Sequence, residues 1–308
     1  VDGVPRLRVL SRRPLSLHGL AAASPHVRAA SGLAWWDGEL AIIQDDAADL
    51  VIASTDGAAA RVVRLLPAHE AATFDERAGT KAYKPDFEAL VVVDGALFGL
   101  GSGSSGRRRR IAVWSGSEVR LVGADRWYEL LAGLPERSAE LNLEGAAAVG
   151  DALVVALRSN GEAVPGRAKA DLLVWFDARA LSSWWIGGCV GAPPTPTDVA
   201  EVRLGDLDGT RLTITDLTAR DGELWFAASA EASPDAIRDG DVAGSAIGRW
   251  RPTGAVWARL GAPGGASPDK VEGIVADPTD ARRFWLVTDA DDPDVPASLL
   301  HVEVDLNI

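Results

Sequence analysis

Apolar and polar positions alternate in short runs along this chain, and the runs come in pairs. In SGLAWWDGELAIIQ (31–44) one apolar run ends at Asp37-Gly38 and a second begins at once. EALVVVDGALFGLG (88–101), EGAAAVGDALVVAL (144–157) and TDLTARDGELWFAA (215–228) repeat that outline, and EGIVADPTDARRFWLV (272–287) repeats it with a longer turn. Gly and Asp tolerate positive φ, so each pair predicts a β-hairpin. A third apolar run follows every hairpin: LVIAST, RRIAVWSG, DLLVWFDA, SAIGRWRP and SLLHVEVDL. A fourth follows most of them: ARVVRLLP, EVRLVG, DVAEVRLGD and AVWARLG. Four antiparallel strands, repeated, describe the blades of a β-propeller. Runs that are apolar on both faces suit blades packed between two neighbours, and Ala146, Ala147 and Ala148 suit an innermost strand.

The repeats start at 31, 88, 144, 215 and 272, in steps of 57, 56, 71 and 57. The 67 residues left over, from 272 through the C-terminus and on to 31, are one more step. The chain therefore predicts an all-β, five-bladed β-propeller over residues 1–308 as a single domain, with a six-bladed ring containing one degenerate blade as the alternative. The last repeat lacks its outer strand, which PRLRVLSRRPL (5–15) would supply, with Leu7 and Val9 packing on one face. N- and C-terminal strands in one blade close the ring and remove two sheet edges. RWYELLAGLPERS (126–138) is the segment that predicts a helix.

Charge narrows the partners. With 31 basic and 44 acidic residues the chain carries −13, which argues against nucleic acid and anionic membrane. No apolar run is long enough to span a bilayer. The start, VDGVPRLRVL, has no signal-peptide pattern, so the expected setting is cytoplasmic and the expected state a monomer. Cys189, the single cysteine, follows Trp184 and Trp185 and reads as a packed residue.

The aligned first positions are Ser31, Glu88, Glu144, Thr215 and Glu272. Innermost strands begin at one rim of the channel, so these side chains should converge there. Three carboxylates around one axis must protonate, pair with bases or share a cation. Oxygen-only donors fit calcium better than zinc or copper, and Asn142 and Asp216 could add oxygens to Glu88, Glu144 and Glu272. A carboxylate–base network through Lys84, Lys270 or Arg158, or plain capping of strand ends, are the alternatives. The loops QDDAAD (44–49), GSGSSGRRRR (101–110), RSNGE (158–162), SAEASPD (229–235) and TDADDPD (288–294) return to the same rim. Arg107, Arg109 and Arg158 give it a basic sector that could hold a small anion. Ser102 and Ser104 lack the strand-to-helix elbow of a serine nucleophile. These features predict a calcium-binding channel that binds or hydrolyses a small anionic ester or lactone, with one glutamate as base. A non-enzymatic scaffold for a protein or glycan is the competing class.

DFEALVVVDGALFGLGSGSSGRRR, LNLEGAAAVGDALVVALRSN, AGSAIGRW and KVEGIVAD together resemble an uncharacterised bacterial propeller family. More loosely, the strand starts at Glu88, Glu144 and Glu272, each followed by Ala or Gly, resemble those of esterase-like phytase domains. That second resemblance implies an acidic calcium site and phosphoester chemistry.

Overall fold

The computed structural model describes residues 5–160, 162–232, 240–261 and 269–306. Five antiparallel sheets follow one another along the chain: residues 30–64 (blade 1), 87–123 (blade 2), 143–202 (blade 3), 206–259 (blade 4) and 270–305 (blade 5). Their innermost strands are Ala30–Trp36, Phe87–Val93, Leu143–Val149, Thr210–Arg220 and Lys270–Ala276, and each touches the next around a closed circle. The ring has five blades, and the six-bladed alternative falls away.

Closure uses the N-terminus. The strand Arg6–Pro14 pairs antiparallel with Ser298–Asp305, with Leu7 opposite Val304. Leu7 packs against the core between blades 4 and 5, as expected, but Val9 is exposed. The register shifts between Val9 and Ser11, so simple alternation does not carry through this strand. Leu15 and Leu17, just beyond it, are buried in the core shared by blades 1 and 5.

The long step between blades 3 and 4 has two causes. A helix, Ala178–Ile186, sits between the third and fourth strands of blade 3, capped by Asp177 through the Ala180 N–H. A short extra strand, Asp206–Leu207, turns back through Asp208-Gly209 onto the start of Thr210–Arg220. The helix expected over 126–138 is shorter, Asp125–Ala132, and ends at Gly133. Both helices bury tryptophan in one cluster: Trp127 and Trp185 meet edge to face at 5.3 Å. The Ala178–Ile186 helix escapes the strand-pair pattern because WFDARALSSWW reads as a continuation of the preceding apolar run.

Cys189 follows that helix, half-buried, and burial pushes its thiol up to about 11. It stays protonated at neutral pH, in keeping with a packing role.

Candidate functional site

Each innermost strand carries the same irregularity. The register slips between Ala30 and Gly32, Phe87 and Ala89, Leu143 and Gly145, Ile214 and Asp216, and Val271 and Gly273. The residue inside each slip is the aligned one: Ser31, Glu88, Glu144, Thr215 or Glu272. A bulge re-aims its side chain and bends its strand, so the aligned residues mark a real structural position. Two of them bond the neighbouring blade. Ser31 Oγ donates to the Phe87 carbonyl at 2.5 Å, and Thr215 Oγ1 to the Val271 carbonyl at 2.7 Å. Three glutamates remain at the channel mouth.

One residue further along, the side chains are small except one: Gly32, Ala89, Gly145, Asp216 and Gly273. A Cβ on Gly145 would stand 2.8 Å from the Asp216 Cα, so the strands meet too closely for one there. Asp216 is 0% exposed and fills the centre. Its carboxylate accepts the Ile274 N–H of blade 5 and its neighbour Leu217 N–H, both at 2.8 Å. The Leu33 and Ala146 N–H groups of blades 1 and 3 also act on it. Burial pushes this carboxyl well above the usual carboxylate range, against the pull of the backbone donors. Asp216, expected among the cation ligands, is instead spent on joining four innermost strands.

Above it the mouth divides into two halves. On one side Glu144 accepts from Asn142 at 2.6 Å and pairs with Arg158 at 3.4 Å. Arg158 also meets Glu231 at 3.0 Å and donates to Thr213 at 2.8 Å. Lys270 lies 2.8 Å from Asp291 and 3.6 Å from Glu272, whose Oε1 is buried without a hydrogen bond. Asn142 and Arg158 are thus engaged by the protein itself. Burial, ahead of Arg158 and Lys270, still pushes Glu144 up to about 7.

On the other side one oxygen each from Asp45, Asp86 and Glu88 lie within 4.8 Å of one another. Asp86 opens its strand in the left-handed region, at φ 58°, and is held by Arg108 at 2.7 Å, Lys84 at 3.1 Å and the Ser102 hydroxyl at 2.5 Å. Lys84 bonds Asp45 as well. Glu88 forms no hydrogen bond or ion pair among the described residues. Burial pushes Glu88 well above the usual carboxylate range, and Asp86, Asp45 and Glu144 add to it. Burial likewise pushes Asp45 up to about 6. Asp289, raised by burial, feels both Lys270 and Asp45 and links the two halves. Among the described residues, eight carboxyl groups (those of Asp45, Asp86, Glu88, Glu144, Glu231, Glu272, Asp289 and Asp291) face Lys84, Arg108, Arg158 and Lys270.

The structure brings Glu88, Glu144 and Glu272 together, since each acts electrostatically on its neighbour. Of the expected arginines it brings Arg158 to the mouth, paired with Glu144 and Glu231, but not Arg107 or Arg109. Arg107 stacks over Tyr83 at 5.0 Å, and Arg109 points to Glu129 at 3.6 Å. Arg108, between them, reaches the cluster instead. Asp45 and Asp86 were not among the expected ligands. Asp86 stands two residues before Glu88, as Asn142 and Lys270 stand before Glu144 and Glu272, and that second aligned column is the signal that finds it. Ser102 is fully buried against Asp86, which leaves no room for a nucleophile's substrate. The end of the rim loop at 233–235 lies outside the described residues.

A ring of five blades, four of four strands and one of five, with an acidic channel mouth defines the protein as a β-propeller with a central polar site. Residues 26–304 match the family of unknown function DUF6929, and the chain belongs to that family. No curated protein matches it in sequence. Among solved structures it is similar to the glutaminyl cyclase of Myxococcus xanthus, at 13% identity over 99% of both chains and a TM-score of 0.52. The arabinanase Arb43A of Bacillus subtilis is similar at 11% identity, over 91% of this chain and 95% of that one, with a TM-score of 0.45. Identities this low speak to the fold alone.

Proposed function

We propose that the channel mouth binds a hard divalent cation at Asp45, Asp86 and Glu88, with calcium the best match. The observation that carries this reading is Glu88: a half-buried carboxylate, close to two others and with no hydrogen bond or ion pair among the described residues. Such a group must protonate or meet a cation. The donors are all oxygens, the set a hard ion prefers. Lys84 and Arg108 offset part of the charge, but the carboxyl groups at the mouth outnumber the cationic ones two to one. A potential of that sign concentrates cations.

An ion held there would leave coordination positions toward the open mouth for a small ligand. Hydrolysis of an ester or lactone is the reaction this arrangement could perform, the ion polarising a carbonyl and a bound water while a neighbouring carboxylate takes the proton. The looser resemblance to esterase-like phytases agrees with this chemistry and adds nothing independent. With Arg107 and Arg109 turned away, an anionic substrate would depend on the ion itself for its charge. Binding is therefore the primary function in this reading, and turnover its extension.

Melting the protein in calcium and in EGTA tests the proposal. At a hundredfold excess over Kd, calcium should stabilise the fold by about 2.7 kcal/mol. Identical melting in both, with no metal in protein purified without chelator, would favour the protein- or glycan-binding scaffold instead.

A further inference from the structure

A cavity of about 290 Å³ opens beside the acidic cluster, between blades 1 and 5. That is the low end for a small-molecule pocket, about 300–1,000 Å³. Its most constrained wall residue is Arg28, which is 8% exposed. The Arg28 N–H is held by Gln44 at 2.9 Å, Nε by Asp46 at 2.8 Å and Nη2 by Asp75 at 2.8 Å. The third guanidinium nitrogen, Nη1, has no hydrogen-bond partner among the described residues. The side chain is fixed in place with both Nη1 donors unspent. Across the same wall stand the carboxyl groups of Asp45 and Asp46, each with one oxygen that accepts no hydrogen bond. Phe74 and Pro293 supply apolar surface beside them.

The charges around the cavity select among ligands. Its lining holds seven carboxyl groups and four basic side chains. A simple anion would meet Arg28 but be repelled by the surplus of carboxylates. A simple cation would satisfy those and leave Arg28 Nη1 unmet. A ligand carrying both charges a short distance apart meets both demands.

We infer that this cavity recognises a small zwitterion of the free α-amino acid class, its carboxylate on Arg28 and its ammonium among the carboxyl groups of Asp45 and Asp46. The side chain of the amino acid lies along Phe74 and Pro293. The site does not depend on the bound ion of the preceding section, because Arg28 and Asp46 stand outside the Asp45–Asp86–Glu88 cluster. Asp45 is common to both, and an ion there would leave Asp46 as the ammonium acceptor.

Isothermal titration in EGTA separates this inference from the cation reading. The probes are L-lysine, glycine, acetate and n-butylamine, each into wild type at matched ionic strength. At least one amino acid should bind saturably at one site. Acetate and butylamine should each bind at least about tenfold more weakly, since each forgoes one charge-assisted contact. Arg28→Gln should weaken the amino acid by about ten- to a hundredfold. That variant strands Asp46 and Asp75, so its fold is checked by circular dichroism. Asp46→Asn, which keeps the volume and one acceptor, serves as the second variant and should weaken binding by about tenfold. Absence of saturable binding by either amino acid would overturn the inference. So would equal binding of acetate or butylamine, or undiminished binding by either folded variant.

Discussion

Asp216 on blade 4 and the glutamates Glu88, Glu144 and Glu272 on blades 2, 3 and 5 occupy successive aligned positions of the innermost strands and are partnered in different ways. Asp216 is fully buried and supplied with backbone N–H donors from its own and neighbouring blades. The carboxylates of the mouth have bases beside them and yet leave Glu88, Asp45 Oδ1 and Glu272 Oε1 unmet. A buried polar group whose bonds are all made holds a fold together; one left short invites a proton, an ion or a ligand. Burial therefore says little by itself about which carboxylate is functional, and the supply of donors says much more.

The contrast can be broken from either side. Asp216→Ala would strand N–H groups of several blades at once, and should cost about 3–5 kcal/mol in urea unfolding. A loss under about 1 kcal/mol would mean that the blades do not rely on this carboxylate. Gly145→Ala attacks the same centre sterically, since its Cβ would press on the Asp216 backbone at 2.8 Å. It should cost about 1–3 kcal/mol without changing calcium affinity.

At the mouth the expected effect is smaller and depends on pH. Glu144 titrates at about 7 in the folded protein against an ordinary value of 4.5. A raised folded value means that the native state holds the proton more tightly. Its contribution is complete below about pH 4.5, falls as pH rises toward 7 and is flat above that. Chemical unfolding from pH 4.5 to 8 should therefore show a steeper decline in wild type than in Glu144→Gln, which cannot titrate. Parallel curves would place Glu144 in the ordinary carboxylate range.

Much of the fold is legible in the chain because each blade repeats one strand–turn–strand outline and the aligned residue falls on a bulge in all five. The small residues after that position, Gly32, Ala89, Gly145 and Gly273, also stand out in sequence, but their reason does not. They let the innermost strands approach closely, Gly145 against the Asp216 backbone and Gly32 against that of Ala89 and Leu90, and backbone groups have no residue letter. The candidate site is legible in part. Glu88, Glu144 and Glu272 align, whereas Asp45 arrives from a loop of blade 1 and meets Asp86 of blade 2 only when the two blades pack together. The arginine run shows the limit of composition as a guide. Within the short helical turn Gly106–Arg108 and the strand after it, successive side chains point to Tyr83, Asp86, Glu129 and Glu70, so one of four reaches the acidic cluster.

The central claim is that donor supply separates a structural carboxylate from a ligand-binding one. It is tested most directly by melting Glu88→Gln and Asp216→Asn beside wild type, each in calcium and in EGTA. The account predicts that Glu88→Gln melts like wild type or higher in EGTA and loses most of the calcium increment of about 2.7 kcal/mol. It predicts that Asp216→Asn melts lower in both buffers and keeps that increment. Loss of the increment in Asp216→Asn with its retention in Glu88→Gln would contradict the account.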